Sequence, residues 1–156
     1  MYLRAIRPQD KLLLSAALAR LSPESSRARF LAPKSHFTSG ELRYLTEIDG
    51  VDHAAFVAIE QREIIGVARY VRLAADPAAA EAAIVIGDPY QGLGLGRRMG
   101  MTLADHARSC GIRRFTATTL SDNVAAHRLF AAISMRLLCE HQTGGIDELV
   151  AELVAA

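Results

Sequence analysis

The sequence predicts a single α/β domain over residues 1–156, in which a mixed central sheet begins antiparallel and is flanked by helices. The length is that of one ordinary domain, and a chain of this size can bury roughly 70% of its unfolded surface without disulfides or metals. Strand-like segments near the middle follow one another through short turns, which is typical of antiparallel pairing. Later strand-like segments alternate with helical ones, and such crossovers produce parallel pairing.

The first half of the chain is predicted to contain one short strand, three helices and two longer strands. A strand over residues 2–7 ends at Pro8, and a helix follows over residues 10–21 with Asp10 as its cap. Pro23 interrupts that helix and can begin a second one, because proline is tolerated in a first helical turn. The remaining elements are a helix over residues 41–48 and strands over residues 53–59 and 64–73, joined by a hairpin at residues 60–63.

The second half is predicted to alternate strands and helices. A turn at Asp76-Pro77 precedes an apolar strand over residues 82–86. The next helix ends at Gly111 and has an apolar stripe at Met99, Leu103, Ala107 and Cys110. We then expect a strand over residues 112–118, a helix with Ala126, Leu129, Phe130 and Ile133 on its apolar face, and a strand over residues 135–140. Residues 147–154 are ambiguous, since their composition favours a helix and their place in the order favours a closing strand.

Composition excludes several classes of protein. The 18 lysines and arginines against 17 aspartates and glutamates give a formal net charge of +1, whereas a nucleic-acid binder needs a clustered basic surface. No apolar run approaches the ~20 residues that cross a bilayer. The two cysteines, Cys110 and Cys139, are too few for a disulfide framework, and the five histidines form no His-x-x-x-His pair. We therefore expect no metal site and no nucleic-acid or membrane partner.

The N-terminal segment has an alternative interpretation. Residues 12–19 are mostly apolar and follow three basic residues, as the corresponding parts of a signal peptide do. However, Leu14, Leu18 and Leu21 recur at helical spacing on one face, which is typical of an amphipathic helix packed on a core. We therefore expect the protein to work in the cytoplasm.

The stretch that carries chemistry spans residues 84–98, where a buried strand enters a glycine-rich turn that opens a helix. Gly92, Gly94 and Gly96 permit a positive φ and remove side chains that would block a ligand. Free N–H groups at a helix start form a cradle for phosphate, and Arg97 adds positive charge. The stretch fits neither the Walker nor the Rossmann glycine pattern. A glycine-rich turn without a ligand is the alternative interpretation.

The pattern Gln91-x-x-Gly94-x-Gly96 closely resembles the pyrophosphate loop of the GNAT superfamily of acyl-CoA-dependent N-acetyltransferases. The later segment Asn123-x-x-Ala126-x-x-Leu129-Phe130 resembles a second family motif, so the resemblance covers nearly the whole chain. Arg29-Phe30, residues 41–52 and residues 65–70 are similar to the bacterial protein-lysine acetyltransferase branch. The resemblance implies a GNAT-like fold, acetyl-CoA as cosubstrate, no metal, and an amine as acceptor.

The resemblance also implies which residues bind the cosubstrate. The backbone of the strand before the loop pairs with amides of the pantetheine arm, because strand splaying leaves those backbone groups without a neighbouring strand. The loop binds the pyrophosphate, and the later motif flanks the arm. The implied set is Ile84, Val85, Ile86, Gln91, Gly92, Leu93, Gly94, Leu95, Gly96, Arg97, Asn123 and Phe130.

Glu81 is the implied general base, since the family often has a glutamate near the start of the strand that leads into the loop. A lysine amine has a pKa near 10.4, so only about 1 in 2,500 is neutral at pH 7 and a base must accept its proton. Five residue steps from Glu81 to Ile86 span about 16 Å of strand. An arm lying along this strand would bring its thioester towards Glu81. The alternative is an exposed carboxylate at a strand end.

Phe130 departs from the family pattern, because many members have a tyrosine there that protonates the departing thiolate. We expect Phe130 to be a core residue and water to supply that proton. Asp88 and Glu63 are predicted to be solvated turn residues. The acceptor is either a protein lysine or a small amine, and a non-catalytic acyl-CoA-binding module is a further alternative. The protein is expected to be a monomer or a homodimer.

Overall fold

The computed structural model describes residues 1–154, over which seven strands form one sheet flanked by five helices. The strands are Tyr2–Ala5 (β1), His53–Glu60 (β2), Glu63–Leu73 (β3), Asp76–Ile86 (β4), Arg114–Leu120 (β5), Arg136–Gln142 (β6) and Ile146–Glu152 (β7). The helices are Lys11–Arg20 (α1), Pro23–Phe30 (α2), Ser39–Thr46 (α3), Leu95–Ser109 (α4) and Val124–Ile133 (α5).

The sheet has the order β1-β2-β3-β4-β5-β7-β6, and its neighbouring strands are antiparallel except for the parallel pair β4–β5. The predicted class is therefore confirmed, because the sheet begins antiparallel and becomes mixed where α4 crosses from β4 to β5. The β2–β3 hairpin turns through Gln61 and Arg62, whose φ angles of 49° and 63° are both left-handed. Two consecutive left-handed residues form a tight turn whose twist matches the right-handed twist of the two strands.

The prediction for β4 was wrong at its start. The turn lies at Ala74–Ala75, and Asp76-Pro77 already belongs to the strand, which is more than twice as long as the predicted segment 82–86. The pairing of β3 with β4 shifts register next to this turn, at Arg72 and Leu73. Proline is tolerated near a strand start, where the missing N–H has no required ladder partner.

The ends of the chain's later elements also differ in detail from prediction. Strand β5 begins two residues later than expected, because Ile112 bonds back to the end of α4: its N–H donates to the Ala107 carbonyl at 3.0 Å. Gly111, with a φ of +84°, makes this closure possible. The ambiguous last segment is the strand β7, in which Asp147, Leu149 and Ala151 are buried and the intervening residues are half-buried. That alternation is the period of a strand.

The core has two parts, one on each face of the sheet. Helices α4 and α5 cover one face, where Met99, Leu103 and Phe115 are fully buried. Helices α1 to α3 cover the other, where Leu14 of the N-terminal apolar segment packs with Val57 and neighbouring side chains. No helix in residues 1–154 is long and apolar enough to span a membrane.

Candidate active site

Strand β4 loses its neighbour on one side halfway along its length. It pairs with β5 only through Ala79, Ala80 and Glu81, whereas its pairing with β3 continues to Ile86. Between Ala82 and Ile86 the β5 side of the strand therefore carries no ladder in the described residues. The two parallel strands diverge and leave an interior strand edge, which can bond a bound chain by strand addition.

The glycine-rich loop begins where this open edge ends. Gly92 and Gly94 have φ angles of +76° and +86°, which side chains rarely tolerate. Gly94 is the N-cap of α4 and offers no side chain to bond the first N–H groups of the helix. These N–H groups have no partner within the helix itself, so they provide a positively polarised site for an anion.

The loop is fixed to α2 by a network of polar side chains. The Asp88 carboxylate accepts hydrogen bonds from the Ser22 N–H at 2.9 Å, the Ser22 hydroxyl at 2.8 Å and the Ser25 hydroxyl at 2.6 Å. Gln91 donates to the Ile86 carbonyl at 2.9 Å and to the Ser25 oxygen at 3.0 Å. Although desolvation acts to raise the pKa of Asp88, the bonds from Ser25 and Ser22 hold it below its ordinary value. The prediction that Asp88 is a solvated turn residue was wrong.

One cleft of about 580 Å³ contains ten of the twelve predicted cosubstrate-binding residues. It runs from the loop along the open edge of β4 and is closed on the far side by α5. The two residues outside it are Leu93, whose side chain is 76% exposed, and Leu95, which is buried in the core. Any contribution from Leu95 to anion binding must therefore come from its backbone N–H at the start of α4.

The later motif lies on the cleft wall as well. The Asn123 side-chain oxygen accepts a bond from the Ala126 N–H at 3.1 Å, so Asn123 caps α5 while it lines the cleft. Phe130 is 4% exposed and packs in the core beneath the same wall. Ile86 and Leu129 come close to Gly96 on this side of the cleft. A Cβ at position 96 would lie 3.5 Å from both of them.

Glu81 lies at the other end of β4, beyond the cleft lining, and its side chain is exposed. It shares a sheet face with Ala83, and Ala83 pairs directly with Arg69 of β3. Arg29 of α2 lines the cleft and interacts electrostatically with Glu81. This end of β4 thus brings the Glu81 carboxylate near the guanidinium groups of Arg29 and Arg69.

Both arginines are held in unusual environments. Arg69 is only 6% exposed and donates to the Leu45 carbonyl at 3.1 Å and to His53 Nε2 at 2.9 Å. Burial, and then the charge of Arg29, lower the pKa of Arg69 to about 10. Burial also lowers the pKa of Arg29, and the Glu81 carboxylate partly offsets this effect. Burial and the charge of Arg69 lower the pKa of His53 to about 4, so at neutral pH His53 accepts the bond as a neutral ring.

Sequence reasoning missed the contribution of α2 to the site. Glu24, Ser25 and Arg29 all line the cleft, but α2 lies about sixty residues before the loop. The proline at the start of α2 predicts where the helix begins but does not indicate which part of the fold it packs against. Arg29 enters the sequence analysis only through the resemblance of Arg29-Phe30, and nothing local in the sequence relates its charge to Glu81.

Residues 20–134 match the model of the Acetyltransferase (GNAT) family. The matched stretch includes Glu81, the glycine-rich loop and the Asn123 segment. It also includes α2, which the structure places on the cleft wall.

Individual relatives agree with this match. The chain is 34% identical over 130 residues to Acetyltransferase Pat of Mycolicibacterium smegmatis, which covers 82% of this chain and 39% of Pat. It is 32% identical over 136 residues to Acetyltransferase PA5475 of Pseudomonas aeruginosa, which covers 84% of this chain and 72% of that protein. The GNAT domain of S. lividans PAT superposes with a TM-score of 0.87 at 29% identity, over 97% of this chain and 89% of that one. The chain thus spans about two fifths of the length of Pat.

Proposed function

Because the chain belongs to the GNAT family of acetyltransferases, we propose that it moves an acetyl group from acetyl-CoA to a protein lysine with Glu81 as general base. It is an acyl-CoA N-acyltransferase of that family, and we propose that residues 1–156 form one such domain. The observation that carries the proposal is the open edge of β4, which has the anion-binding loop at one end and an exposed carboxylate at the other.

Acetyl-CoA is proposed to bind as an added strand. Its pyrophosphate accepts hydrogen bonds from the N–H groups of the loop and the first turn of α4, near Arg97. Its pantetheine arm runs along Ile84 to Ile86, where the backbone has no β5 partner. An arm that extends about 16 Å along β4 from Ile86 brings the thioester carbonyl to the level of Glu81.

The reaction is a direct acyl transfer. Glu81 accepts one proton from the lysine ammonium, directly or through a water molecule, and the neutral nitrogen then attacks the thioester carbonyl carbon. A carbon–nitrogen bond forms and the carbon–sulfur bond breaks, so CoA leaves as a thiolate, and the acylated nitrogen releases its extra proton to water to become a neutral amide. Phe130 has no proton to give and is buried. A thiol has a pKa near 8.5, so the thiolate is a good enough leaving group to depart without a proton from an acid. It then takes a proton from water.

The surroundings of Glu81 favour a protein lysine over a small amine. The carboxylate is exposed rather than enclosed, so a lysine that projects from a large partner can reach it. Arg29 and Arg69 place positive charge near the incoming amine, and a neighbouring positive charge lowers an amine's pKa and favours the neutral form that attacks. The resemblance to the protein-lysine branch supports the same acceptor.

We also propose that the protein acts in the cytoplasm. The apolar N-terminal segment forms helix α1, whose Leu14 and Leu18 are buried against the sheet, and this supports a folded role over that of a signal peptide.

Labelled acetyl-CoA tests the proposal directly. A cell lysate incubated with labelled acetyl-CoA and the protein should incorporate label into protein lysines above the level seen with the Glu81→Gln variant. Label that appears only in small metabolites would identify a small-amine acetyltransferase. Tight CoA binding with no label transfer to any amine would identify a non-catalytic acyl-CoA-binding module.

A further inference from the structure

A second group of chemically active side chains lies outside the cleft, where α5 crosses the end of the β6–β7 hairpin. One ligand atom each from His127, Cys139 and Asp147 lies within 4.8 Å of the others. A fourth residue, His141, places its Nδ1 atom 2.5 Å from an Asp147 oxygen. We call these four residues the hairpin cluster. They come from three different elements and converge on one carboxylate that is only 1% exposed.

We propose that the hairpin cluster is a binding site for a Zn²⁺-class metal ion, with His127, Cys139, Asp147 and His141 as its four ligands. Imidazole, thiolate and carboxylate are the groups that bind Zn²⁺, and four protein ligands are the usual number in a structural site. One thiolate and one carboxylate also balance the two charges of the ion. Because the Asp147 carboxylate is only 1% exposed, a charge balance at this position matters more than it would in water.

The distances among His127, Cys139 and Asp147 fit a metal after a small adjustment, whereas His141, which contacts the other Asp147 oxygen, has to turn towards the centre to complete the set. The Asp147 Oδ2 atom lies 2.7 Å from His127 Nε2 and 3.6 Å from Cys139 Sγ. Ligands bound to Zn²⁺ at 2.0–2.3 Å in a tetrahedron lie about 3.3–3.8 Å apart. An outward movement of His127 by less than about 1 Å therefore opens the centre. Cys139 releases its proton when the metal binds, because the thiolate is the ligand.

The neighbouring groups already have the arrangement of an outer coordination shell. His127 uses Nδ1 to bond the Asn123 carbonyl at 2.7 Å, which leaves Nε2 directed at the cluster. The Ser121 hydroxyl donates to Asp147 Oδ1 at 2.6 Å. Metal-binding histidines usually bond a carbonyl or carboxylate through the other ring nitrogen, and metal-binding carboxylates are themselves hydrogen-bonded.

The position of the cluster indicates a structural role. Glu81 pairs with Thr116 of β5, and Thr116 pairs with Val150 of β7. Asp147 lies three residues from Val150 along β7. Three residue steps and two strand spacings put the cluster about 14 Å from Glu81. A bound ion would instead hold the start of α5, with its cap Asn123, onto the β6–β7 hairpin. The sequence predicted no metal because the ligand spacing, His127 to Cys139-x-His141 to Asp147, matches no common zinc motif.

Metal titration of the purified chain, after dialysis against a chelator, tests the site without any activity assay. Calorimetry with Zn²⁺ should show one ion per chain, and Co²⁺ should give the absorption band of a cobalt–thiolate bond. In Cys139→Ser the band should disappear and the Zn²⁺ affinity should fall at least 100-fold, beyond the about 10–100-fold that the loss of an outer-shell partner costs. Cys110→Ser is the matched control, since this other thiol lies outside the cluster, and it should behave as the unmodified chain does.

Three results would overturn the proposal: no stoichiometric Zn²⁺ binding, a cobalt–thiolate band that survives in Cys139→Ser, or a band that is lost in Cys110→Ser. If Cys139→Ser does not fold, His141→Ala replaces it. The His141 side chain is 79% exposed, so its removal leaves the core intact. Zn²⁺ should bind at least 10-fold more weakly to this variant, and an unchanged affinity would overturn the proposed four-ligand site.

Discussion

The Asp88 carboxylate accepts a 2.6 Å hydrogen bond from the Ser25 hydroxyl, which lies 63 residues earlier on α2. This contact joins the turn before the glycine-rich loop to the helix that forms the opposite wall of the cleft. The position of the loop therefore depends on α2 as well as on its own glycines.

Asp88→Ala should loosen the loop and weaken cosubstrate binding. The carboxylate also bonds the Ser22 N–H at the start of α2, so its loss should cost about 1–2 kcal/mol of folding free energy, as loss of a helix cap does. We expect the Kd for acetyl-CoA to rise about 10-fold, which calorimetry can measure. Asp105→Ala removes a surface carboxylate from α4 and should change neither quantity. If the two substitutions had equal effects, Asp88 would have no special role in positioning the loop.

Glu81→Gln should reduce turnover without affecting binding. The amide cannot accept the ammonium proton, so kcat should fall about 10²–10³-fold in a CoA-release assay with a lysine peptide. The Kd for acetyl-CoA should stay within about twofold, because Glu81 lies outside the lining of the cleft. Glu140→Gln, an exposed carboxylate on β6, is the matched control. A Glu81→Gln enzyme with full turnover would exclude this residue as the base.

Alanine at two neighbouring glycines should act on different properties: Gly94→Ala should lower stability, and Gly96→Ala should weaken the binding of acetyl-CoA. Gly94 has a left-handed φ of +86° and open space around it, so Gly94→Ala should cost about 1–2 kcal/mol through backbone strain alone. Gly96 has helical backbone, and Gly96→Ala should leave stability unchanged or slightly higher. Its new Cβ lies in the cleft wall, so the Kd for acetyl-CoA should rise about 10-fold. Denaturant unfolding and calorimetry together distinguish the two effects.

Stability should decrease on acidification through His53. Its folded pKa of about 4 lies below the unfolded value near 6.5, so between these values the unfolded chain binds more protons. The stabilising contribution is complete above pH 6.5 and is lost as the pH falls towards 4. From pH 7 to pH 5 the loss should be about 1–2 kcal/mol, after allowance for the solvent exposure of the ring.

Urea unfolding of the unmodified chain and of His53→Gln at the two pH values measures this contribution. Glutamine can still accept the Arg69 bond through its carbonyl but does not titrate. The difference in unfolding free energy between pH 7 and pH 5 should therefore be smaller in the variant. An identical pH dependence in both proteins would show that His53 titrates normally in the folded state.

Local features of the fold could be predicted well from the sequence. The glycine-rich loop, the stop at Gly111 and the cap at Asn123 follow from conformational preferences that act within a few residues. The start of β4 could not be predicted, because Asp76-Pro77 is a strong turn signal when considered alone. Its outcome depends on the register with β3, which is a property of two strands together.

The features of the site that escaped prediction are all contacts between distant segments. The bonds of Asp88 to Ser22 and Ser25, the charge of Arg29 next to Glu81, and the approach of His127 to Asp147 each require α2 or α5 to be packed in place. Each of these polar side chains is typical of a solvated surface when read in isolation. Tertiary packing gave them partners.

The divergence of β4 from β5 leaves this protein with an unpaired strand edge in its interior, walled by helices. Outer edges are where sheets of separate molecules join and aggregate, whereas this edge lies inside a cleft lined by residues of α2 and α5. One extended chain with amide groups along its length can pair with this edge. A short linear peptidomimetic with an anionic tail should therefore compete with acetyl-CoA for this edge.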